Sequence, residues 1–257
     1  MKCSKSICCL VAATGTAGIV GADTALPFSG SVRHATIMAA TGEVIVHGEG
    51  APRSGPEVVW DNTTFAGQFT DSGSLQFVDW GDIGSGHIIN GFSFGYFTRS
   101  TIDAISVELT FYGTENGFGD TSDTLRKFVF SGLFGDILGT GTAWTFDVDL
   151  TGTGDEFAIT GPDLDADSLI DFGFGYRILN PGNNTTGPLI ASGGVGNEDA
   201  FDVYAGGAQN AGGTFTGTSF FGGDPFAGFY MKLEAVPAPG AAALLGLGGL
   251  IAARRRR

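Results

Sequence analysis

The chain has 257 residues, 44 of them Gly and 22 Phe, with 27 acidic against 13 basic side chains and a net charge of −14. A surface this acidic repels phosphate backbones, which excludes nucleic acid as a partner. All three cysteines (Cys3, Cys8, Cys9) sit at the start of the chain, so the remainder has no disulfide, no Cys nucleophile and no Cys-ligated zinc.

Met1–Ser6 carries Lys2 and Lys5, and Ile7–Ala22 is a mostly apolar run with small residues near its end. A cationic segment, an apolar segment and a small-x-small site make a secretory signal peptide, expected over residues 1–25 with cleavage after Ala22 or Ala25. The body is then expected over residues 26–235. With Lys2, Lys5, Asp23 and the four terminal arginines set aside, it keeps seven basic and 26 acidic residues, a charge near −19. Its length suits one hydrophobic core.

Alternation with period two dominates the body. Ile88–Phe97 reads as a strand. In Ile105–Tyr112, Ile105, Val107, Leu109 and Phe111 point one way, and Ser106, Glu108, Thr110 and Tyr112 the other. Phe128–Phe130 follows. Next, Phe146, Val148 and Leu150 oppose Thr145, Asp147 and Asp149, and Phe157–Thr160 is a further strand. Phe172, Phe174, Tyr176 and Ile178 oppose Asp171, Gly173, Gly175 and Arg177. Gly213–Phe221 comes next, and at the end Phe229, Met231 and Leu233 oppose Tyr230, Lys232 and Glu234. Tyr112–Ser122, Thr151–Asp155, Asn180–Gly187 and Gly206–Gly213 carry turn chemistry, and Ala191–Gly213 is expected as a long loop holding one short strand around Phe201–Tyr204. Half-buried strands and Gly-rich turns predict an all-β, antiparallel β-sandwich of jelly-roll type. The Phe content supplies a core without disulfides.

After the last strand the chain reads Val236-Pro237-Ala238-Pro239-Gly240, an uncharged Ala/Leu/Gly/Ile run over residues 241–253, and then Arg254, Arg255, Arg256 and Arg257. At ~1.5 Å per residue the run covers roughly 20 Å, short of a ~30 Å hydrocarbon core. Its three glycines, with Gly240 just before them, weaken it further as a helix, so a short, removable transmembrane helix is expected over residues 240–253. Arginines resist translocation, which leaves the body on the far side of the membrane.

The Pro-x-Pro junction, the Gly/Ala/Leu span and the Arg cluster, in that order, resemble the PEP-CTERM sorting signal of exported bacterial proteins. The resemblance covers residues 236–257, and Ala238 stands where that family has Glu. It implies processing by an exosortase, a membrane-embedded transpeptidase, near the Pro-x-Pro junction. A Gram-negative-type envelope, a tail held first in the inner membrane, and association with exopolysaccharide are also implied.

Several patterns in the body are candidates for chemistry. Asp163, Asp165, Asp167 and Asp171 occupy positions 1, 3, 5 and 9 of a loop, an oxygen spacing that suits a structural Ca²⁺ ion. Position 6 is Ser168 and position 12 is Phe174, which departs from the EF-hand pattern; the other reading is an exposed acidic turn. Gly193–Asp199 resembles one copy of the β-roll nonapeptide, which needs tandem copies to hold an ion. Gly91-Phe92-Ser93-Phe94-Gly95 fits G-x-S-x-G, yet its surroundings are strand-like and all three histidines precede it, unlike a nucleophile elbow. Asp147 with Asp149, and Asp79 with Asp82, are carboxylate pairs of the kind glycosidases use. Trp60, Trp80, Tyr96, Trp144 and Tyr204 could stack on sugar rings, and tryptophans of a sandwich are more often buried. These features predict an exported, non-catalytic, surface-sorted structural or matrix component, with a carbohydrate-binding protein and then a glycan-active enzyme as alternatives.

Overall fold

β-Branched and aromatic residues at period two build sixteen strands and, among the described residues, no helix. The computed structural model describes residues 32–47, 57–68, 75–113, 123–164, 166–179, 185–194, 196, 199–207, 212–221 and 227–237. The expected signal peptide and membrane helix lie outside them, as do Ala238 and all that follows.

The strands are β1 (Val32–Met38), β2 (Glu43–His47), β3 (Glu57–Asn62), β4 (Thr64–Gln68), β5 (Leu75–Ile83), β6 (His87–Thr98), β7 (Ile105–Tyr112) and β8 (Thr124–Leu133). They continue with β9 (Thr142–Asp149), β10 (Phe157–Ala158), β11 (Ile170–Ile178), β12 (Thr186–Ser192), β13 (Ala200–Ala205), β14 (Thr214–Phe220), β15 (Gly228–Phe229) and β16 (Met231–Pro237). Six form one sheet in the order β14-β13-β5-β11-β7-β8. Ten form the other, in the order β15-β12-β6-β9-β1-β2, with β16 joining β6 to β3, β10 on β6 and β4 on β12. Every pairing is antiparallel except that of β1 with β9. Two antiparallel-rich sheets facing each other across one core are compatible with a β-sandwich.

β6 organises the larger sheet because it is long enough to pair four neighbours. One of its edges takes β10 and then β9, and the other takes β16 and then β12. Its inward residues Phe92, Phe94 and Tyr96 are fully buried. The Phe94 ring lies 5.1 Å from Phe130 of the smaller sheet and 5.1 Å from Phe146 of its own, both stacked. Phe92 meets Phe111 edge-on at 5.4 Å. Trp60 of β3 meets Phe172 of β11 in the same way, at 5.4 Å. Edge-on and offset rings gain attraction beyond the area they bury.

The strands Ile105–Tyr112 and Phe172–Ile178 lie where alternation places them, within β7 and β11, and Phe157–Thr160 shortens to β10. Three differences have physical causes. The sequence reading places no strand before Ile88, whereas β1 to β5 precede it. β5 hides its period by turning Asp79 toward the core and Trp80 away from it, both buried. Thr186 and Gly187, expected in a turn, open β12, which runs on through Ala191 and Ser192 of the expected loop. Tyr112, expected on the polar side, is fully buried on the outer face of the smaller sheet. It packs there with Val78 and Tyr204, and its hydroxyl accepts a 2.8 Å hydrogen bond from Gln76.

Truncation of a ring that both sheets share should cost far more than loss of an exposed one. Phe94→Ala is expected to lower stability by about 3–5 kcal/mol in urea unfolding. Phe220→Ala, at 65% exposed, should stay within about 0.5 kcal/mol of the parent chain.

Candidate functional site

The face of the larger sheet turned away from the core carries a dense polar cluster. Strand pairing assembles it: His34 stands opposite His47 and Thr145, Asp147 opposite Thr36 and Ser93, and Lys232 opposite Ser93 and Asp61. Period two then sends these side chains to one side. Gly91 and Gly95 flank Ser93 for want of room: a Cβ at 91 would come within 3.0 Å of the Glu234 carboxylate, and one at 95 within 2.7 Å of Leu189. The G-x-S-x-G pattern therefore reflects packing across a sheet face, not a nucleophile elbow.

Asp147 is the centre of the cluster. The Ser93 hydroxyl donates to its Oδ1 in a short contact. Lys232 Nζ stands 3.6 Å from that oxygen and 2.8 Å from Glu234 Oε1. His34 Nε2 lies 3.2 Å from Asp147 Oδ2, close enough for an electrostatic contact but without in-line hydrogen-bond geometry. His34 Nδ1 meets Thr145 Oγ1 at 3.0 Å, and His47 Nε2 meets Thr36 Oγ1 at 2.8 Å. The two imidazoles stack at 5.3 Å.

Burial alone would raise the Asp147 carboxyl, but His34, Ser93 and the charge of Lys232 outweigh it and hold it down to about 2. Burial pulls the Lys232 ammonium down, while Glu234 and Asp147 oppose that effect and leave it above its ordinary value. Two carboxylates and one ammonium thus share a mostly buried site, each stabilising the charge of the next. Nucleophilic catalysis needs the hydroxyl to reach a base that can take its proton. Ser93 instead donates a hydrogen bond to a carboxylate held ionised by its neighbours, and His34 contacts the far oxygen of that carboxylate. The arrangement ties β1, β6, β9 and β16 together and leaves no activated nucleophile. Apart from Ser93 and Asp147, these residues escaped the sequence reading. Lys232 and Glu234 were visible only as the polar side of an alternating strand.

Two other buried carboxylates have structural posts. Asp79 faces the core, where its Oδ2 accepts from the Phe229 amide at 2.6 Å and its Oδ1 from the Trp80 amide at 2.9 Å. Burial pushes its carboxyl well above the ordinary range, and those two amides only partly offset the rise. The Phe229 carbonyl accepts from Asn62 at 2.9 Å, so side chains hold both the N–H and the C=O of this residue in the two-residue strand β15. Asp136 accepts from the Leu138, Gly139 and Gly141 amides and from the Thr142 hydroxyl, which closes the loop between β8 and β9.

The residues singled out in the sequence do not converge. Trp60, Trp80 and Trp144 are at most 8% exposed, so none of them offers a ring face to a sugar. Trp60 fills a slot between Gly81 and Gly194, where any Cβ would overlap the indole. Trp144 donates to the Gly135 carbonyl at 3.0 Å. Asp79 points inward while Asp82 lies on the opposite face of β5, and Asp149 caps the next turn by accepting from the Thr151 amide. In the acidic loop, Asp163 accepts from the Asp167 and Ser168 amides at 3.0 and 2.9 Å, Asp167 from Leu169, and Asp171 from Leu164. Asp165 lies outside the described residues, and among those described no group of three His, Cys, Asp or Glu side chains could hold a metal ion. Gly194 of the nonapeptide-like segment serves the Trp60 slot. Of the tail, Val236 and Pro237 belong to β16, paired with Ile88 and His87; Ala238, Pro239, Gly240 and the four arginines lie outside the described residues. No described helix is long and apolar enough to cross a membrane.

Compared with known proteins, the chain matches no family model, no curated protein and no solved structure.

Two measurements follow from the carboxylates. A carboxyl depressed to about 2 stabilises the fold fully above its unfolded value near 4, and that contribution is lost as pH falls from about 4 to 2. Asp147→Asn should therefore cost about 2 kcal/mol at pH 7 and flatten the acid limb of the stability curve. Asp163→Ala removes the acceptor of two loop amides and should cost about 1–2 kcal/mol with chelator present. An ion bound at the loop would add a Ca²⁺-dependent rise in melting temperature, confined to the parent chain.

Proposed function

We propose that this is an exported, surface-sorted, non-catalytic protein that serves as a structural component of the cell envelope or its extracellular matrix. The observation that carries the reading is the pair of terminal segments: a signal-peptide pattern at residues 1–25, and at residues 236–257 the junction, short apolar span and arginine stop. In this reading an exosortase cuts near Pro237-Ala238-Pro239 after the tail has paused in the inner membrane of a Gram-negative-type cell. Exopolysaccharide is the neighbouring material.

The body supports a passive role. The polar cluster on the outer face of its larger sheet is a charge network engaged with itself, with Ser93 hydrogen-bonded to a carboxylate. Its tryptophans are buried, which takes away the exposed ring faces that a carbohydrate-binding platform needs. We read the fold as jelly-roll-like, because from β5 to β13 the chain passes repeatedly from one sheet to the other. A Ca²⁺ ion on the Asp163–Asp171 loop would belong to this reading as a clamp.

The strand β16 ends at Pro237, so a cut beyond it leaves the larger sheet whole. A reporter fused after Ala235 should be active on the far side of the inner membrane and silent in the cytosol. Replacing Arg254–Arg257 with Ala should leave the chain unprocessed, seen as a band retaining its tail. A full-length chain recovered as a free cytosolic protein overturns the proposal.

A further inference from the structure

The outermost strand of the larger sheet is unguarded. β2 reads Glu43-Val44-Ile45-Val46-His47, and it pairs with β1 along one edge in an unbroken antiparallel register. Its other edge meets no strand among the described residues. Alternate backbone N–H and C=O groups on that side remain open to a further strand. Both faces are open as well. Val44, Ile45 and Val46 are 39%, 40% and 51% exposed, although Val44 and Val46 stand beside the buried Ile37 and Ala35 of β1. The core-side face of β2 therefore overhangs the smaller sheet and finds no cover there.

Sheet proteins ordinarily blunt such an edge with bulges, lysine or proline, or a strong twist. The outer strands of the smaller sheet follow that practice. β14 carries a register break against β13 and Gly217 at φ +148°, and β8 carries two register breaks against β7 together with Arg126 and Lys127. β2 has no break, no proline and no lysine, and its centre is three β-branched residues in succession. That composition favours strand pairing.

The sequence of β2 also specifies its partner. Laid antiparallel on a second copy about a two-fold axis through Ile45, the strand sets Ile45 against itself, Val44 against Val46, and Glu43 against His47 at both ends. Residues directly opposite in such a pair have Cβ atoms about 4.5–5.5 Å apart. Each carboxylate then faces an imidazole. Thr36 already engages His47 Nε2, which leaves Nδ1 for the incoming Glu43. The four overhanging valines come together on one face of the joint. A shift of one residue in register would separate both Glu–His pairs and break the symmetry. A two-fold interface requires a patch complementary to itself, and this strand is one.

We propose that β2 is a self-association edge, through which two copies join their larger sheets into one continuous sheet by antiparallel β2–β2 pairing. The inference uses residues 32–47 alone and does not rest on the export reading; a cytosolic chain would associate in the same way.

The test is sedimentation velocity on the purified full chain in mild detergent, across a concentration series. The parent should shift from monomer to dimer as concentration rises. Ile45→Lys sets two ammonium groups against each other on the axis and should leave only monomer. Glu43→Lys should raise the dissociation constant at least tenfold, and Glu43→Lys/His47→Glu, which sets an ammonium against a carboxylate at both ends, should recover most of the loss. Position 45 is exposed, so an unchanged melting temperature for Ile45→Lys shows that the fold is intact. If that variant unfolds, the Glu43 pair of variants decides. A parent that stays monomeric at every concentration overturns the proposal, as does a dimer that Ile45→Lys and Glu43→Lys leave untouched.

Discussion

The fold depends on rings meeting between two sheets that no disulfide joins. Phe94 marks the place most clearly, stacked at once on Phe130 across the core and on Phe146 along its own sheet. With no cysteine beyond Cys9, stability must come from apolar burial and from buried polar groups that find partners. Each such ring contributes on the order of 1.5–3 kcal/mol by leaving water. The sheets on either side serve chiefly to hold those rings at contact distance.

What the core needs on one side of β6 determines what the other side can carry. Phe92 and Phe94 face inward, so Ser93 must face outward, and the same alternation in β9, β16 and β1 brings Asp147, Lys232, Glu234 and His34 to one patch. Flanking glycines make the room, and ionic pairing makes the burial tolerable. A pattern that resembles a hydrolase motif in one dimension is, in three, a strand crossing a charge network. The network strengthens the joint between four strands that are far apart along the chain.

Much of the fold was legible wherever alternation was clean. β7 and β11 could be read from Ile105–Tyr112 and Phe172–Ile178 because apolar residues recur there at every second position, although Tyr112 breaks the pattern. β5 was not legible, since Asp79 enters the core to hold Phe229 while Trp80 is buried on the opposite face, a compensation invisible to a local pattern. β12 was masked by Gly187 and Pro188, which signal turns unless a neighbouring strand is already waiting. Of the candidate site, Asp147 and Ser93 were visible, but the pairing that unites them with Lys232 and His34 spans more than a hundred residues. The tryptophans and the acidic loop carried suggestive residue types whose partners, Gly194 for Trp60 and the backbone amides for Asp163, are matters of three-dimensional contact.

β16 is the last described strand to be made, yet it lies in the interior of the larger sheet, between β3 and β6. Until its residues emerge, those two strands have nothing to join them, and the long-range pairing carries a large loop-closure cost. The larger sheet therefore cannot be completed before Met231–Pro237 is in place. β3 takes its place in the sheet only when that strand docks, so the closing segment acts as a keystone.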